Sequence, residues 1–576
     1  MPEGLLRGSR RPDLSVPRLP RTGRLPPRPG HRPSDLQIPL PECPDERSHS
    51  VPIGRECVKR RQRFMSERHR WWVLGVMTCA SSMIAIDALV VLVALPTIQR
   101  DLDASTTGAQ WIINAYLLSF ACMSPLGGRI GDVFGPERAF RFGTVLFAVS
   151  SIGAGLAQSD AWLIAARAAQ GAGAAILRPA SQVLIIKEFG RGERGQAMGI
   201  SSSVSTLLYG TAPLIGGVLT TAFSWRAIFF VNPPLGIGAL LLAHFLLTSG
   251  PPRREQVDWA SAPLLICGLV CVVLPLMQAR YWGWSSATVI SLLATGAVLM
   301  TLLVVRERRR PDPLIHLELF ANKEFSVGAA VISSVRFAFV GFAVFGVIWL
   351  QDVVGMSPFE AGLAVLPLTL PTAVCAPLGG RLYDRLGPRV PLGIGMVLCV
   401  GALLGAAGQV HRQNYGWLAP FYCVMGIGMG LCVSPAWVTA LSGTATRMRG
   451  TAAGLVQTAR EISAALGLAV MGATVANLQG ARLSQLLERD GRIPADRFDQ
   501  VERSIGKTVA ATQQGSPLPA GIPADLVPAL KAAVTTAVSA AFYVGAAVLV
   551  TAAAAVSLLP GKAELSESGR TGDDPA

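Results

Sequence analysis

Apolar runs of 18 or more residues recur from Trp71 to Leu559, broken by short polar turns. Each is long enough to cross a hydrocarbon core of ~30 Å as a helix. The runs lack the strict two-residue alternation of a transmembrane β-barrel. Fourteen spans are predicted, near 71–95, 109–128, 140–158, 161–186, 196–222, 226–248, 260–279, 286–305, 326–350, 359–379, 389–410, 417–441, 452–476 and 533–559. If the amino terminus is cytoplasmic, the inside loops hold most of the loop cations, Arg129, Arg138, Lys187, Arg253, Arg308, Arg381, Arg385, Arg389, Arg447 and Arg449 among them. The short outside loops hold Arg100, Arg226, Arg280 and Arg412. That asymmetry predicts a multi-pass protein of the cell membrane with both termini cytoplasmic.

The turns themselves show a duplication. Gly128-Arg-Ile-Gly-Asp132-Val-Phe-Gly135-Pro-Glu-Arg138 follows span 2, and Gly380-Arg-Leu-Tyr-Asp384-Arg385-Leu-Gly387-Pro-Arg389 follows span 10. Both share the frame G-x-x-x-D-x-x-G. Gly128 suits close helix approach and Gly135 a tight turn, while Asp132 and Arg138 offer paired charges at helix ends. Spans 1–6 and 9–14 hold the repeated motifs, which leaves spans 7 and 8 as an inserted pair. The expected fold is therefore all-α and integral to the membrane, with two six-helix bundles related by an axis along the membrane normal. In these terms 1–64 is a disordered tail, 65–248 the first bundle, 249–325 the insert with its linker, 326–559 the second bundle and 560–576 a cytoplasmic tail. Residues 477–532 form the one large extracellular connection, opening with a short surface helix at Ala481–Arg489.

Composition agrees. Only 15% of the 576 residues are charged, and mean hydropathy is +0.44, which is membrane composition rather than that of several soluble domains. The formal charge of +15 suggests nucleic acid, yet residues 1–64 supply 14 Lys/Arg against 7 Asp/Glu, and the remainder lies in loops. A positive-inside bias accounts for it without a polyanionic partner. The same 64 residues hold 12 prolines and no apolar periodicity, so disorder is expected. No signal-peptide core is present, and translation is expected to begin near Met65, which intact mass checks. The ten cysteines show no metal or disulfide spacing, eight of them lying in apolar spans, and core packing is the reading. The six histidines are scattered, and there is no HExxH or phosphate loop, so neither a metal nor an enzyme is expected.

The polar turn resembles the signature loop of the major facilitator superfamily, repeated where that family repeats it. Further segments are similar to its fourteen-helix drug:proton antiporter branch. Span 1 carries Ile86-Asp87-Ala-Leu-Val-Val-Leu-Val-Ala94-Leu95-Pro96, span 2 Gln110-Trp111 and Tyr116-Leu117, and span 4 Arg167-Ala-Ala-Gln170-Gly171-Ala-Gly173. Span 13 carries Ala459-Arg460-Glu461, and the turn into span 6 reads Trp225-Arg226-Ala-Ile-Phe229-Phe-Val-Asn232-Pro233. The span 5 antiport motif survives as Pro213, Gly216 and Gly217, although both glycines upstream of it are replaced. Leu89 and Leu92 stand where the branch has Thr and Asn, Val133 where a basic residue is usual, and Glu461 where Gln is common. The resemblance implies antiport of protons against a small-molecule substrate, no cofactor beyond the proton gradient, and a gate in which Asp132 and Arg138 lock the cytoplasmic side.

Charges within spans carry the functional reading, because each costs a few kcal/mol unless it is paired or faces water. They are Asp87, Arg167, Arg178, Arg336, Arg460 and Glu461. Asp87 is the first candidate for proton coupling and Glu461 the second. A static ion pair of Asp87 with Arg167 is the alternative, and a proton competing with that Arg makes the two compatible. Arg178 either snorkels to the helix end or serves as a cavity cation. Arg460 and Glu461 are consecutive, ~100° apart on a helix, so one is expected to face the cavity and the other a neighbouring helix. Four arginines against two carboxylates favour neutral or anionic amphiphiles. Proton-driven efflux of small amphiphilic drugs or antibiotic-like products by alternating access is the leading function. Solute uptake, a membrane receptor or scaffold with the basic tail as output, and an integral-membrane enzyme stand as alternatives. The partners expected are substrate, protons and membrane lipid, with no nucleic acid and a monomeric state.

Overall fold

The computed structural model describes residues 53–190, 192–247, 259–310, 312–490 and 526–559, with side chains from Arg68 onward except at 280–281 and 487–490. Expectations for 1–52, 248–258, 491–525 and 560–576 lie outside the described residues. Gln62–Ala576 forms one compact unit, and apart from where α1 begins all that follows concerns it.

Sixteen α-helices run in order through the described residues. They are α1 (Ile53–Asp101), α2 (Thr106–Phe134), α3 (Pro136–Gly155), α4 (Asp160–Glu188), α5 (Arg194–Ala222), α6 (Ala227–Phe230), α7 (Asn232–Leu246), α8 (Ala262–Trp282), α9 (Ala287–Glu307), α10 (Lys323–Trp349), α11 (Pro358–Leu363), α12 (Leu366–Leu386), α13 (Arg389–Gln409), α14 (Tyr415–Ser442), α15 (Arg449–Asp490) and α16 (Val527–Val556). Among the described residues eleven helical stretches are long and apolar enough to cross a membrane. The helices at predicted spans 2, 3 and 4 are not among them, because their polar side chains lower the hydropathy.

Four elements differ from expectation. Helix α1 begins at Ile53, inside the segment expected to be disordered. Helix α15 runs 42 residues without a break, so span 13 and the expected surface helix at Ala481–Arg489 are one element. Spans 6 and 10 are each interrupted, at Val231 where Asn232-Pro233-Pro234 opens α7, and ahead of Leu366 where Pro367 opens α12. A proline lacks the N–H that would continue the ladder and disfavours helix in the residue before it.

Packing repeats along the chain. Helix α4 packs against α2 and α3, as α14 packs against α12 and α13, and α2 lies along α15 as α12 lies along α5. Helices α8 and α9 pair with each other, and α8 also touches α2 and α15. Small residues allow the closest of these approaches. A Cβ on Gly143 would lie 2.6 Å from Leu177 N, and one on Gly428 2.7 Å from Gly395 O, so bare backbone is what lets these helices touch.

Candidate functional site

The duplicated turns build two equivalent joints. Helix α2 ends at Gly135, whose φ of +94°, like the +82° of Gly387, lies where a side chain is strained. One turn before it, buried Asp132 points across to the start of α15. Its Oδ1 accepts from Gly450 N at 2.7 Å, and its Oδ2 accepts from Thr451 N and Thr451 Oγ1, both at 2.7 Å. The first N–H groups of a helix have no internal partner and carry its positive dipole end, so a carboxylate suits them. Asp384 does the same for α5, accepting from Gly195 N at 2.9 Å and Gln196 N at 2.8 Å. Each repeat therefore caps a helix of the other.

The contact is backbone-close because glycines face each other. A Cβ on Gly128 would sit 2.0 Å from Gly450 O, and one on Gly380 1.9 Å from Gly195 O. The α2–α15 joint continues through Gly454, which abuts Ser124 O, to Thr458 Oγ1 donating to Ala121 O at 2.7 Å. The α12–α5 joint continues to Gly199 against Ala376 O, whereas further along α5 a Cβ on Gly210 would find its nearest neighbour, Thr369, only at 3.7 Å. The α5–α12 pair is tightest at the end carrying the polar turns and looser beyond it.

Arg138 does not pair with Asp132. It donates to Phe134 O at 3.3 Å in its own turn, and Glu137 of this turn pairs with Lys187. Buried Arg129 meets His316 Nε2 at 3.2 Å. Arg385 and Arg389 are exposed. In the span 5 motif, Gly216 is buried with Val90 O of α1 3.1 Å from its Cβ position, Gly217 has open space there, and Pro213 is exposed.

Deeper in the first repeat lies a fully buried polar cage. Arg167 Nη1 donates to Asp87 Oδ2 at 2.5 Å and to Gln170 Oε1 at 2.7 Å, and its Nε donates to Ile112 O at 3.3 Å. Asp87 Oδ1 accepts from Gln170 Nε2 at 2.9 Å and Asn232 Nδ2 at 3.2 Å. Both amides also reach Ser151 Oγ, which donates to Phe229 O at 2.8 Å. The guanidinium lies 4.1 Å from the centroid of the Tyr116 ring. Helices α4 and α7 thus meet the carboxylate carried by α1, with α2, α3 and α6 completing the cage, and both carboxylate oxygens accept hydrogen bonds. Sequence reading found Asp87, Arg167 and Gln170 but gave Asn232 and Ser151 no role. The helix break before Pro233 brings Asn232 in, and Ser151 is one of many small polar residues in apolar spans.

The remaining span charges lie outside this cage. Arg178 is partly buried and donates from Nη1 to Ser81 O of α1 at 3.4 Å. Glu461 Oε1 accepts from Gln457 Nε2 at 2.7 Å and lies 3.5 Å from Arg460 Nη1. Arg460 and Glu461 do pair, against expectation, because the long arginine chain folds back over the ~100° between them. Arg336 and Arg460 line one cleft with Val331, Val335, Met429 and Trp437.

Membrane-length spans, a buried charge cage and two repeats that cap each other's helices describe a helical membrane protein built by duplication. Residues 77–468 match the Major Facilitator Superfamily, and the chain belongs to that family. Among its relatives, the tetracenomycin C resistance and export protein of Streptomyces glaucescens is 31% identical over 494 residues, 85% of this chain and 90% of that one. The multidrug resistance protein Stp of Mycobacterium tuberculosis (strain CDC 1551 / Oshkosh) is 33% identical over 76% of this chain and 82% of its own. The puromycin resistance protein pur8 of Streptomyces alboniger is 35% identical over 74% and 86%. The crystal structure of the human organic anion transporter MFSD10 (TETRAN) shares the fold, with TM-score 0.52 at 12% identity over 83% of this chain and 99% of that one. The chain is a multi-pass transporter of small molecules, not an enzyme, in a group of antibiotic and multidrug resistance exporters.

Proposed function

We propose that this protein exports small amphiphilic, antibiotic-like molecules from the cell by alternating access, driven by protons moving inward. The carrying observation is the exchanged pair of helix caps, Asp132 on α15 and Asp384 on α5. Two such joints near one end hold the repeats together there, and both must break for that end to open. In this reading the positive loop residues mark this end as cytoplasmic, and the conformation described is then the one closed to the cytoplasm. Helices α2, α3 and α4 are 29, 20 and 29 residues long, about 30 Å or more at 1.5 Å per residue. With them the spans number fourteen, arranged as two six-helix bundles and the inserted pair α8–α9. The names of the relatives support export of antibiotic-type molecules.

Asp87 is the proton-coupling group in this reading. Protonation would remove the charge that Arg167 answers, and a buried Arg left without its carboxylate is strongly destabilising, so the cage must rearrange with each proton. The experiment is export in proteoliposomes under an imposed pH gradient, with and without Asp87→Asn. Gradient-driven export by wild type that Asp87→Asn abolishes supports the proposal. Undiminished export by the variant removes Asp87 from coupling.

A further inference from the structure

The proposed exporter reading leaves the charge of the cargo open, and three arginines outside the Asp87 cage bear on it. Arg336 (α10) and Arg460 (α15) line the cleft between α10, α14 and α15. Arg460 experiences the positive charges of both Arg336 and Arg178, and Glu461 is the carboxylate acting on Arg178 and Arg460. Glu461 is already held by Gln457 and Arg460, so the carboxylate near Arg178 and Arg460 is engaged. Arg178 Nε and Arg336 Nε are buried with no hydrogen-bond partner among the described residues. The charge of Arg336 rests near the Phe339 ring, 5.9 Å from its centroid. Asp87 cannot serve this set, since Arg167, Gln170 and Asn232 occupy it.

We infer that Arg336 and Arg460, with Arg178 adding to the field, bind the anionic head of the substrate, and that the cargo class is an aromatic or aliphatic amphiphile bearing a carboxylate or similar acid. This rests on the exporter reading for the direction of movement but not for binding. Mutually repelling arginines in an apolar setting are costly until an anion or water joins them. The wall of Val331, Val335, Met429 and Trp437 suits an apolar body, and planar guanidinium groups suit a carboxylate. The enclosed space is ≈ 20 Å³, about one water. It therefore receives an acidic oxygen, while the body of the molecule lies along the open side. A lipophilic cation meets the same three charges as repulsion.

One aromatic body with three charges tests this. Purified full-length protein in nanodiscs of zwitterionic lipid is titrated with 9-anthracenecarboxylate, its methyl ester and 9-anthracenylmethylammonium, with empty discs subtracted. The carboxylate should bind at least tenfold more tightly than the ester, with the ammonium weakest. Arg336→Gln and Arg460→Gln should each weaken carboxylate binding about fivefold or more and leave ester binding unchanged, which also shows that the variants are folded. Arg336→Lys should retain most of the preference. Equal affinity for carboxylate and ester, or tightest binding of the ammonium, overturns the inference. Carboxylate binding without gradient-driven export in proteoliposomes leaves the inference standing and refutes the exporter reading. Export of the ammonium in preference to the carboxylate does the reverse.

Discussion

Replacing Asp132 by Asn isolates the joint between α2 and α15. Asp132 accepts three hydrogen bonds, all at 2.7 Å, from Gly450 N, Thr451 N and Thr451 Oγ1. Bonds to a charged acceptor are worth about 1.5–3 kcal/mol each. Asparagine keeps one acceptor oxygen but turns an N–H donor toward the N–H groups of the other side, so about 2–4 kcal/mol of joint stability should be lost. At 1.4 kcal/mol per tenfold, the closed-to-open ratio at this face should fall roughly 30- to 700-fold. Asp384→Asn should do less, because Asp384 is only partly buried and accepts two bonds, at 2.9 and 2.8 Å. Spin labels on the exposed positions Phe134 and Thr446, which flank the joint, report its width by pulsed electron resonance. Wild type should give one short distance, Asp132→Asn a major second population at longer distance, and Asp384→Asn a smaller one. An unchanged distribution for Asp132→Asn, or a larger effect from Asp384→Asn, would show that the caps do not hold this face shut.

Other expectations follow from single contacts. Gly135→Ala places a Cβ at φ +94° and should cost about 1–2 kcal/mol, read as a lower melting midpoint in detergent, whereas Gly217→Ala, with open space around it, should be neutral. Asn232→Ala removes one of three hydrogen bonds to Asp87. It should leave gradient-driven export measurable but reduced, and an effect as complete as that of Asp87→Asn would mean that Asn232 itself carries the proton or substrate.

What the residues disclosed divides along physical lines. The helical spans were legible because a run of twenty apolar residues has few other fates, and Asp87 and Arg167 stood out because ionised groups in such runs are rare. The duplicated turn was visible as a pattern, but its partner was not. Asp132 reaches Gly450 and Thr451, 318 and 319 positions on, and a carboxylate that caps a helix looks in sequence like one paired with an arginine of its own turn, here Arg138. Asn232 and Ser151 were hidden for another reason, since an uncharged polar residue costs far less in a span than an ionised one and so does not mark itself as part of a site. The Arg460–Glu461 pair was misjudged by reasoning from backbone direction alone, which neglects how far an arginine reaches.

Helix α2 links the buried cage to the joint. Near one end, Ile112 O accepts from Arg167 Nε, and the Tyr116 ring lies against the same guanidinium. At the other end, Asp132 holds α15. Twenty residues, about 30 Å of helix rise, separate Ile112 from Asp132. If the proton at Asp87 frees Arg167, the element that feels it is the one that carries the cap. Double labelling of the joint in Asp87→Asn, Asp132→Asn and the combined variant tests this. A coupling of about 0.5–2 kcal/mol between the two sites is expected, seen as a departure from additivity in the open fraction. Strict additivity would mean that the cage and the joint respond independently, and coupling would then have to run through another helix that the cage touches.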